Sequence, residues 1–174
     1  MSSHAPSAAN RRELIVDAAL RRMTSLGYEG TTIGDIAKDL DISKAAVVYY
    51  FRRKDDFLTE FIAPVLEQLE QAVDAAETVQ EAVAGYLSVL IDNRERAKWI
   101  DTDPIIQSHP EYGARLSEVN GRLMGAITGG SRTSADRVRA LAVLGGLWRP
   151  TRELPAEVLD KQREEVVRAA MASY

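Results

Sequence analysis

Apolar residues recur every three or four positions along most of this chain, which is the period of an amphipathic α-helix. In a first predicted helix over residues 10–26, Ile15, Ala19 and Leu26 fall on one side, and Gly27 follows as a left-handed cap. The strict alternation that is typical of a half-buried strand is almost absent. The pattern therefore predicts an all-α protein.

Two short helices separated by a tight corner follow over residues 32–51. The first is capped by the hydroxyl of Thr32 and carries Ile36 on its inward side. A polar corner lies at Asp41, and the second helix begins at Ser43. This spacing is that of a helix-turn-helix, a motif whose second helix can enter the major groove of DNA.

The second of these helices has the composition of a helix that contacts DNA. Val47 and Phe51, four positions apart, face inward, while Tyr49 and Tyr50 can reach phosphate oxygens with their hydroxyl groups. Small or polar residues let the helix N-terminus approach a groove closely, and basic residues after the helix attract phosphate. The first group comprises Ser43, Lys44, Ala45 and Ala46, and the second comprises Arg52, Arg53 and Lys54.

Three sequence motifs lie in this stretch: T-T-x-x-x-I-A from Thr31, S-K-x-x-V-x-x-x-F from Ser43, and K-D-D-F-L from Lys54. In this order and spacing, residues 10–60 resemble the TetR family of transcriptional regulators. The resemblance implies an N-terminal three-helix helix-turn-helix DNA-binding domain, followed by a helical ligand-binding and dimerisation domain. It also implies a homodimer that binds double-stranded operator DNA and an unidentified small-molecule effector.

Three positions depart from the usual family motif. The small residue at the turn is Asp41 here, the glycine after Ser-Lys is Ala45, and the frequent tyrosine in the middle of the second helix is Val48. The residues themselves and the resemblance together predict the following DNA-binding set: Thr32, Gly34, Ser43, Lys44, Ala45, Ala46, Tyr49, Tyr50 and Lys54. Within it, the resemblance implies groove contact from residues 44–46.

The net charge of −4 is divided unevenly along the 174 residues. Residues 1–54 hold nine Lys and Arg against six Asp and Glu, whereas residues 55–174 hold 13 against 20. A mildly basic head on an acidic body suits a regulator whose body must not bind nucleic acid indiscriminately. We therefore predict a flexible tail over residues 1–9, a DNA-binding domain over residues 10–54, and a helical regulatory and dimerisation domain over residues 55–174.

The candidate chemistry for catalysis is sparse. Cysteine is absent, which excludes disulfides and thiolate chemistry, and the histidines are His4 and His109 alone. Asp101 and Asp103 precede a proline and are interpreted as turn and capping residues. No nucleophile, zinc or phosphate-loop motif is present, so we predict no enzyme, no cofactor and no metal site. The first nine residues lack a signal-peptide core and no run is long enough to span a membrane, so we expect a cytoplasmic protein.

Beyond the head, the pattern predicts further helices over residues 55–76, 79–100, 112–127, 134–148 and 155–173. Pro64 falls inside the first of these and is expected to kink it, because its ring removes one backbone hydrogen bond. The kink either couples body to head mechanically or simply fits the helix around its core. A loop containing Pro150 and Pro155 is expected between the last two helices.

The last two predicted helices carry apolar faces that the family uses to form a four-helix bundle between two subunits. The residues of this predicted dimer interface are Val138, Leu141, Ala142, Gly145, Trp148, Val158, Leu159, Val166, Val167 and Ala170. The alternative is that both faces pack into the protein's own core.

A ligand pocket in the body is implied by the resemblance. Its predicted lining consists of Leu69, Tyr86, Leu90, Trp99, Ile105, Ile106 and Met124. Tyr86 and Trp99 each combine a large apolar body with one hydrogen-bonding group, which suits ligand recognition. Simple core packing is the alternative for all of these residues.

These observations favour a sequence-specific DNA-binding transcriptional regulator, a repressor that a small-molecule ligand releases from its operator. Ligand binding in the body would shift the helix after residue 55 and change the separation of the two heads. One alternative is a regulator controlled by a protein partner. Another, of a different class, is a helical small-molecule-binding protein or enzyme in which the helix-turn-helix is incidental.

Overall fold

The structure is a computed structural model that describes residues 8–172, and within this range it contains α-helices and no β-strand. The all-α prediction is therefore confirmed. Residues 1–7 of the predicted tail, with His4, lie outside the described residues, and the first helix already includes Ala8. None of the helices between residues 8 and 172 is both long enough and apolar enough to cross a membrane.

The chain divides into two compact units, the first ending at Ala63 and the second beginning at Pro64. The sequence placed the domain boundary nine residues earlier, after residue 54. The extra residues hold a short helix whose Phe57, Leu58 and Phe61 are fully buried. Burial of these side chains explains why the segment is counted with the first unit.

The first unit contains four helices: α1 (Ala8–Leu26), α2 (Ile33–Asp39), α3 (Lys44–Tyr50) and α4 (Asp56–Phe61). Ile15 and Ala19 of α1 are buried as predicted, but Leu26 is 57% exposed and the expectation for it was wrong. Met23, one turn after Ala19, occupies the inward position instead. Gly27 ends the helix with φ 76°, as its left-handed cap requires.

The second unit contains eight helices within the described part of the chain. They are α5 (Ala63–Asp74), α6 (Val79–Asp92), α7 (Arg94–Thr102), α8 (Pro104–Ser108), α9 (Tyr112–Thr128), α10 (Ser134–Glu153), α11 (Ala156–Lys161) and α12 (Arg163–Met171). In α6 and α9 the buried residues recur at every third or fourth position, as the helical spacing predicts. Helix α10 packs against α12, α9, α7 and α6, and so lies at the centre of this unit.

The predicted kink at Pro64 is instead an interruption two residues earlier. Ile62 is a turn residue between α4 and α5, with φ −99° and ψ −44°. Pro64 is then the second residue of α5, where a backbone N–H has no helical partner to lose. The proline therefore begins a helix here and does not bend one.

The long helix predicted over residues 79–100 is also divided. Asn93 leaves the helical region (φ −113°, ψ 30°), and its side-chain amide donates to the carbonyl of Val89 at 3.0 Å and to Oε1 of Gln68 at 3.0 Å. These bonds fix the Asn93 side chain at the break between α6 and α7 and tie it to α5. Helix α8 lies between the predicted helices over residues 79–100 and 112–127, where no helix was predicted. Asp103 caps it by accepting from the N–H of Ile105 at 3.0 Å, as its predicted capping role requires.

The loop expected at Pro150 is wrong, because α10 continues through this proline to Glu153. Leu147 and Thr151 lie one turn apart on its buried side, and the Thr151 hydroxyl donates to the carbonyl of Leu147 at 2.9 Å. Burial of Leu147 and Thr151 holds this turn against the core, although proline cannot make one of the helical hydrogen bonds. The final predicted helix is interrupted at Gln162, whose φ is −116° and ψ 18°.

Candidate nucleic-acid interface

The helix-turn-helix begins with a reciprocal cap on α2. The N–H of Asp35 donates to Oγ1 of Thr32 at 3.2 Å, and the N–H and hydroxyl of Thr32 donate to Oδ2 of Asp35 at 3.2 and 2.6 Å. The hydrogen bond from Thr32 holds the pKa of the Asp35 carboxyl below its ordinary value. On the opposite side of the helix, Ile36 and Ala37 are buried.

The corner between the two helices is made by Asp41 in the left-handed region, at φ 52°. The N–H of Asp41 donates to the carbonyl of Lys38 at 3.1 Å, and that of Ile42 donates to Ala37 at 3.0 Å. This hydrogen-bond pattern ends α2 and redirects the chain within two residues. It sets the direction from which α3 starts.

Helix α3 is capped by Ser43, whose side-chain oxygen accepts from the N–H of Ala46 at 3.2 Å. Val47 is fully buried and Phe51 is 2% exposed, so these residues anchor the helix to the core. Ser43, Lys44 and Ala45 are exposed at the other end and side of the helix. The arrangement presents the first turn of α3 to solvent.

A set of contacts around Phe51 holds α3 in place. Its ring stacks on Phe57 with a centroid separation of 4.3 Å. The guanidinium of Arg12 lies 5.1 Å from the Phe51 centroid and forms an ion pair with Glu60. One arginine of α1 therefore links the end of α3 to α4.

Aromatic and basic side chains follow the exposed turn. Tyr49 is 81% exposed and makes an edge-to-face contact with the half-buried Tyr50, with ring centroids 5.0 Å apart. Arg52 and Arg53 are exposed after them, and Lys54 is half-buried. The surface has the composition of a phosphate-binding edge.

The nine predicted DNA-binding residues differ in how available they are. Lys44, Ala45 and Tyr49 are exposed, and Ala46, Gly34 and Lys54 are partly exposed. Thr32 is exposed, but its hydroxyl already donates to an ionised Asp35. A phosphate at this point would meet a carboxylate, which makes Thr32 the least favourable of the predicted contacts.

The residues predicted to line a pocket are largely core residues of the second unit. Leu69, Tyr86, Leu90, Trp99 and Ile106 are at most 3% exposed. Met124 and Ile105 are partly exposed. Met124 borders a separate depression beside Gly121 and Gly125 on α9.

The two polar groups singled out in this set already have partners inside the chain. The hydroxyl of Tyr86 donates to Oδ1 of Asn120 at 2.5 Å, and burial raises the pKa of that hydroxyl above its ordinary value. Nε1 of Trp99 donates to Oδ2 of Asp103 at 2.8 Å. A ligand at either group would have to replace an existing hydrogen bond.

A groove of about 620 Å³ lies elsewhere, between α6 and α12. Its lining includes Ala84 and Leu87 from α6 and Val167 and Met171 from α12. Arg163 and Arg168 also border it. Val167, expected at a dimer interface, thus lies in this groove.

The other nine predicted dimer residues separate into two groups. Leu159, Val166 and Ala170 are buried within the chain, and Trp148 is partly buried with its ring edge-to-face on Tyr86 at 6.3 Å. The outward group consists of Val138, Leu141, Ala142, Gly145 and Val158. Their large apolar members are 40–66% exposed.

Two neighbouring glycines of α10 show how the helix distinguishes its sides. A Cβ at Gly146 would lie 3.0 Å from Cβ of Ala170, so α10 and α12 pack closely there. A Cβ at Gly145 would meet no atom of the described chain within 4 Å. A shallow groove of about 480 Å³ on this surface joins Ala142, Val158 and Val166.

His109 and the carboxylate side chains are the remaining candidates for catalytic or metal-binding residues. Nδ1 of His109 accepts from the N–H groups of Glu111 and Tyr112 at 3.2 and 3.3 Å, so this histidine is a turn residue. Among residues 8–172, no three His, Asp or Glu side chains are grouped as metal ligands would be.

The first unit thus contains a helix-turn-helix, and a comparison with known families finds a match to this part of the chain. Residues 15–61 match the family described as bacterial regulatory proteins, tetR family. Over these residues the chain is similar to that family.

Two curated relatives each match somewhat more than a third of the chain. The uncharacterized HTH-type transcriptional regulator YhgD of Bacillus subtilis is 30% identical over 67 residues, which are 38% of this chain and 35% of YhgD. IcaR of Staphylococcus aureus, the negative transcriptional regulator of the biofilm operon icaADBC, is 31% identical over 62 residues, 36% of this chain and 33% of IcaR. The alignments span about a third of these relatives.

Solved structures are similar over nearly the whole chain. A TetR-family transcriptional regulator from Bordetella parapertussis has a TM-score of 0.74 at 19% identity, covering 95% of this chain and 96% of its own. SCO3833 of Streptomyces coelicolor, also of this family, has a TM-score of 0.74 at 15% identity, covering 92% and 90%. At these identities the likeness concerns the fold.

Proposed function

We propose that this protein is a sequence-specific DNA-binding transcriptional regulator that inserts α3 into the major groove. The observation that carries the proposal is the exposed first turn of α3, with Ser43, Lys44 and Ala45 in solvent and Val47 and Phe51 anchored behind it. A helix held by its inward residues can present its N-terminal turn to base edges without reorganising. The exposed Tyr49 and the basic residues after the helix would position it on the phosphate backbone.

The regulator would act as a homodimer. Support comes from the outward apolar residues of α10 and α11, among them Val138, Leu141 and Val158, which are unusually exposed for their size. Two recognition helices about 34–36 Å apart would then read two half-sites one turn apart. A palindromic operator follows from this symmetry.

Repression is the proposed direction of regulation. IcaR, which is 31% identical to this chain over 62 residues, is described as a negative regulator. The simplest effect of a dimer on its operator is to exclude polymerase, and a small molecule bound in the body would relieve it. A protein partner bound to the body is the runner-up as effector.

The proposed effector site lies in the buried core of the second unit and includes Tyr86 and Trp99. Binding there would have to exchange the Tyr86–Asn120 and Trp99–Asp103 hydrogen bonds for bonds to ligand, so a ligand offering both an acceptor and a donor fits best. Replacing Tyr86 by Phe should lower effector affinity while leaving operator affinity of the free protein unchanged.

The DNA proposal is tested by selection of genomic fragments, followed by measurement of affinity at several salt concentrations. Lys44→Ala should change the preference among selected sequences, because Lys44 is exposed at the first position of α3. The matched control is Lys161→Ala, which removes an equal charge from an exposed position of α11.

The control should leave both affinity and preference as in the wild type. If the wild-type protein selects no genomic sequence and binds duplexes no better than an acidic protein of its size, the proposal is wrong. The helix-turn-helix would then be incidental to a ligand-binding or catalytic role.

A further inference from the structure

Lys54 does not extend freely into solvent but is fixed against Tyr28. Its ammonium lies 3.9 Å from the centroid of the Tyr28 ring and donates to the backbone carbonyl of the same residue at 3.0 Å. Tyr28 lies in the turn after α1 and Lys54 just before α4, 26 positions apart. The contact therefore joins two loops of the first unit.

Tyr28 is itself held in place. Its side chain is 8% exposed, and its hydroxyl donates to Oδ1 of Asp55. The carbonyl that receives Lys54 also accepts from the N–H of Thr31 at 3.2 Å. Burial and the bond to Asp55 raise the pKa of the hydroxyl above its ordinary value, so it stays a donor.

This geometry leaves the Lys54 ammonium able to bind an anion. An ammonium has three N–H donors, and one of them is directed at the Tyr28 carbonyl. The side chain is partly exposed, and the exposed Arg52 and Arg53 precede it. A lysine that is already ordered loses less side-chain entropy on binding than one that samples many rotamers.

We propose that Tyr28 is a positioning residue for DNA binding: its ring and carbonyl hold the Lys54 ammonium where a backbone phosphate meets it. The inference rests on the proposed function and assigns a role to a residue outside the helix-turn-helix. Tyr28 touches no DNA in this proposal. It acts through Lys54 alone.

The test is a double-mutant cycle on the full chain, with a mixed-sequence DNA duplex as the probe. Lys54→Ala should lower the slope of log affinity against log salt by about 0.9, the value of one phosphate contact. Tyr28→Leu, which removes the ring from Lys54, should weaken binding on the order of three- to tenfold. Tyr28→Phe keeps the ring and carbonyl and should retain the wild-type salt slope.

The decisive measurement is Tyr28→Leu in the Lys54→Ala background. If Tyr28 acts through Lys54, the second substitution has no further effect on DNA affinity there. An equal loss in both backgrounds would overturn the inference, since Tyr28 would then merely support the fold. No loss in either background would overturn it as well.

Two further measurements keep the test independent of folding and of the proposed function. Tyr28→Met replaces the leucine variant if the latter does not fold. The ε-methylene protons of Lys54 should show an upfield NMR shift from the Tyr28 ring, and ordinary shifts would contradict the contact. A wild-type protein that shows no salt-dependent DNA binding would instead refute the proposed function. The NMR shift tests only the contact between Tyr28 and Lys54, so the two failures can be distinguished.

Discussion

At the scale of single residues, the turn of the helix-turn-helix is the least usual position. Asp41 has φ 52°, a conformation that costs most side chains about 1 kcal/mol or more relative to glycine. Aspartate tolerates it better than most, because its short polar side chain can hydrogen bond locally. The residue thus stands at a turn where the motif of the resembled family usually has a smaller residue.

Asp41→Gly is therefore expected to stabilise the protein by about 0.5 kcal/mol, after the larger conformational entropy of glycine in the unfolded chain is subtracted. Asp41→Ala should destabilise it by about 1 kcal/mol, because alanine has neither the freedom of glycine nor a polar side chain. Urea unfolding followed by circular dichroism measures both. A glycine variant less stable than the alanine variant would refute the strain argument.

At the scale of helices, the apolar period predicted most of the buried positions, with Leu26 an exception, but not where helices end. Tyr86 and Leu90 are buried because their spacing fixes the inward side of α6. The break at Asn93 depends on two side-chain hydrogen bonds, one of them to Gln68 in another helix, and no local pattern contains that information. Pro150 shows the reverse case, since tertiary burial carried a helix through a residue that usually stops one.

The same distinction applies to the candidate interface. The exposed turn of α3 follows from its sequence, because inward anchors four positions apart leave small polar residues outside. The contact between Tyr28 and Lys54 depends on the path of two loops. The apolar period of the helices does not describe that path. The sequence signal at Tyr28 is its place directly after Gly27 at the end of α1. That signal indicates a turn and does not indicate a role in DNA binding.

A bidentate salt bridge between Arg115 and Glu70 joins α9 to α5. It makes the stability of the protein depend on pH. Nε and Nη2 of Arg115 donate to the two carboxylate oxygens of Glu70 at 3.0 and 2.9 Å. The hydrogen bond from Arg115 lowers the pKa of Glu70 below its ordinary value. The stabilisation is therefore complete above the unfolded pKa and is lost as pH falls through the folded one.

Glu70→Gln should lower the free energy of unfolding by about 1 kcal/mol at neutral pH, as expected for a partly buried bidentate pair. The difference from the wild type should shrink as the solution is acidified below the ordinary range of a glutamate carboxyl. Glu118→Gln, an exposed substitution on α9, is the control and should show no such trend. A difference that is constant with pH would contradict the ion-pair explanation.

At the scale of the whole molecule, the proposed dimer can be tested by a substitution at Gly145, on the exposed side of α10. Gly145→Glu has open space in the chain itself, so the monomer should remain folded and gain helix propensity. In a close-packed interface between copies, the same charge should give monomers and weaken operator binding. Sedimentation velocity at micromolar concentration measures the change.

Gly121→Glu is the matched control, since Gly121 on α9 is also exposed with no described atom within 4 Å of an added Cβ. It introduces the same charge outside the proposed interface and should leave the oligomeric state unchanged. If Gly145→Glu sediments as the wild type does, the interface does not include this side of α10.

The contacts of Arg12 with Phe51 and Glu60 couple the local unfolding of α3 to that of α1. A seven-residue helix such as α3 is unstable in isolation, because helix nucleation costs more than so few hydrogen bonds return. Its order is supplied by α1 and α4, so α3 cannot unravel alone while its anchors stay packed. Amide hydrogens of α3 should therefore exchange with solvent at the free energy of opening shared by α1, and Arg12→Ala should accelerate exchange in both helices together.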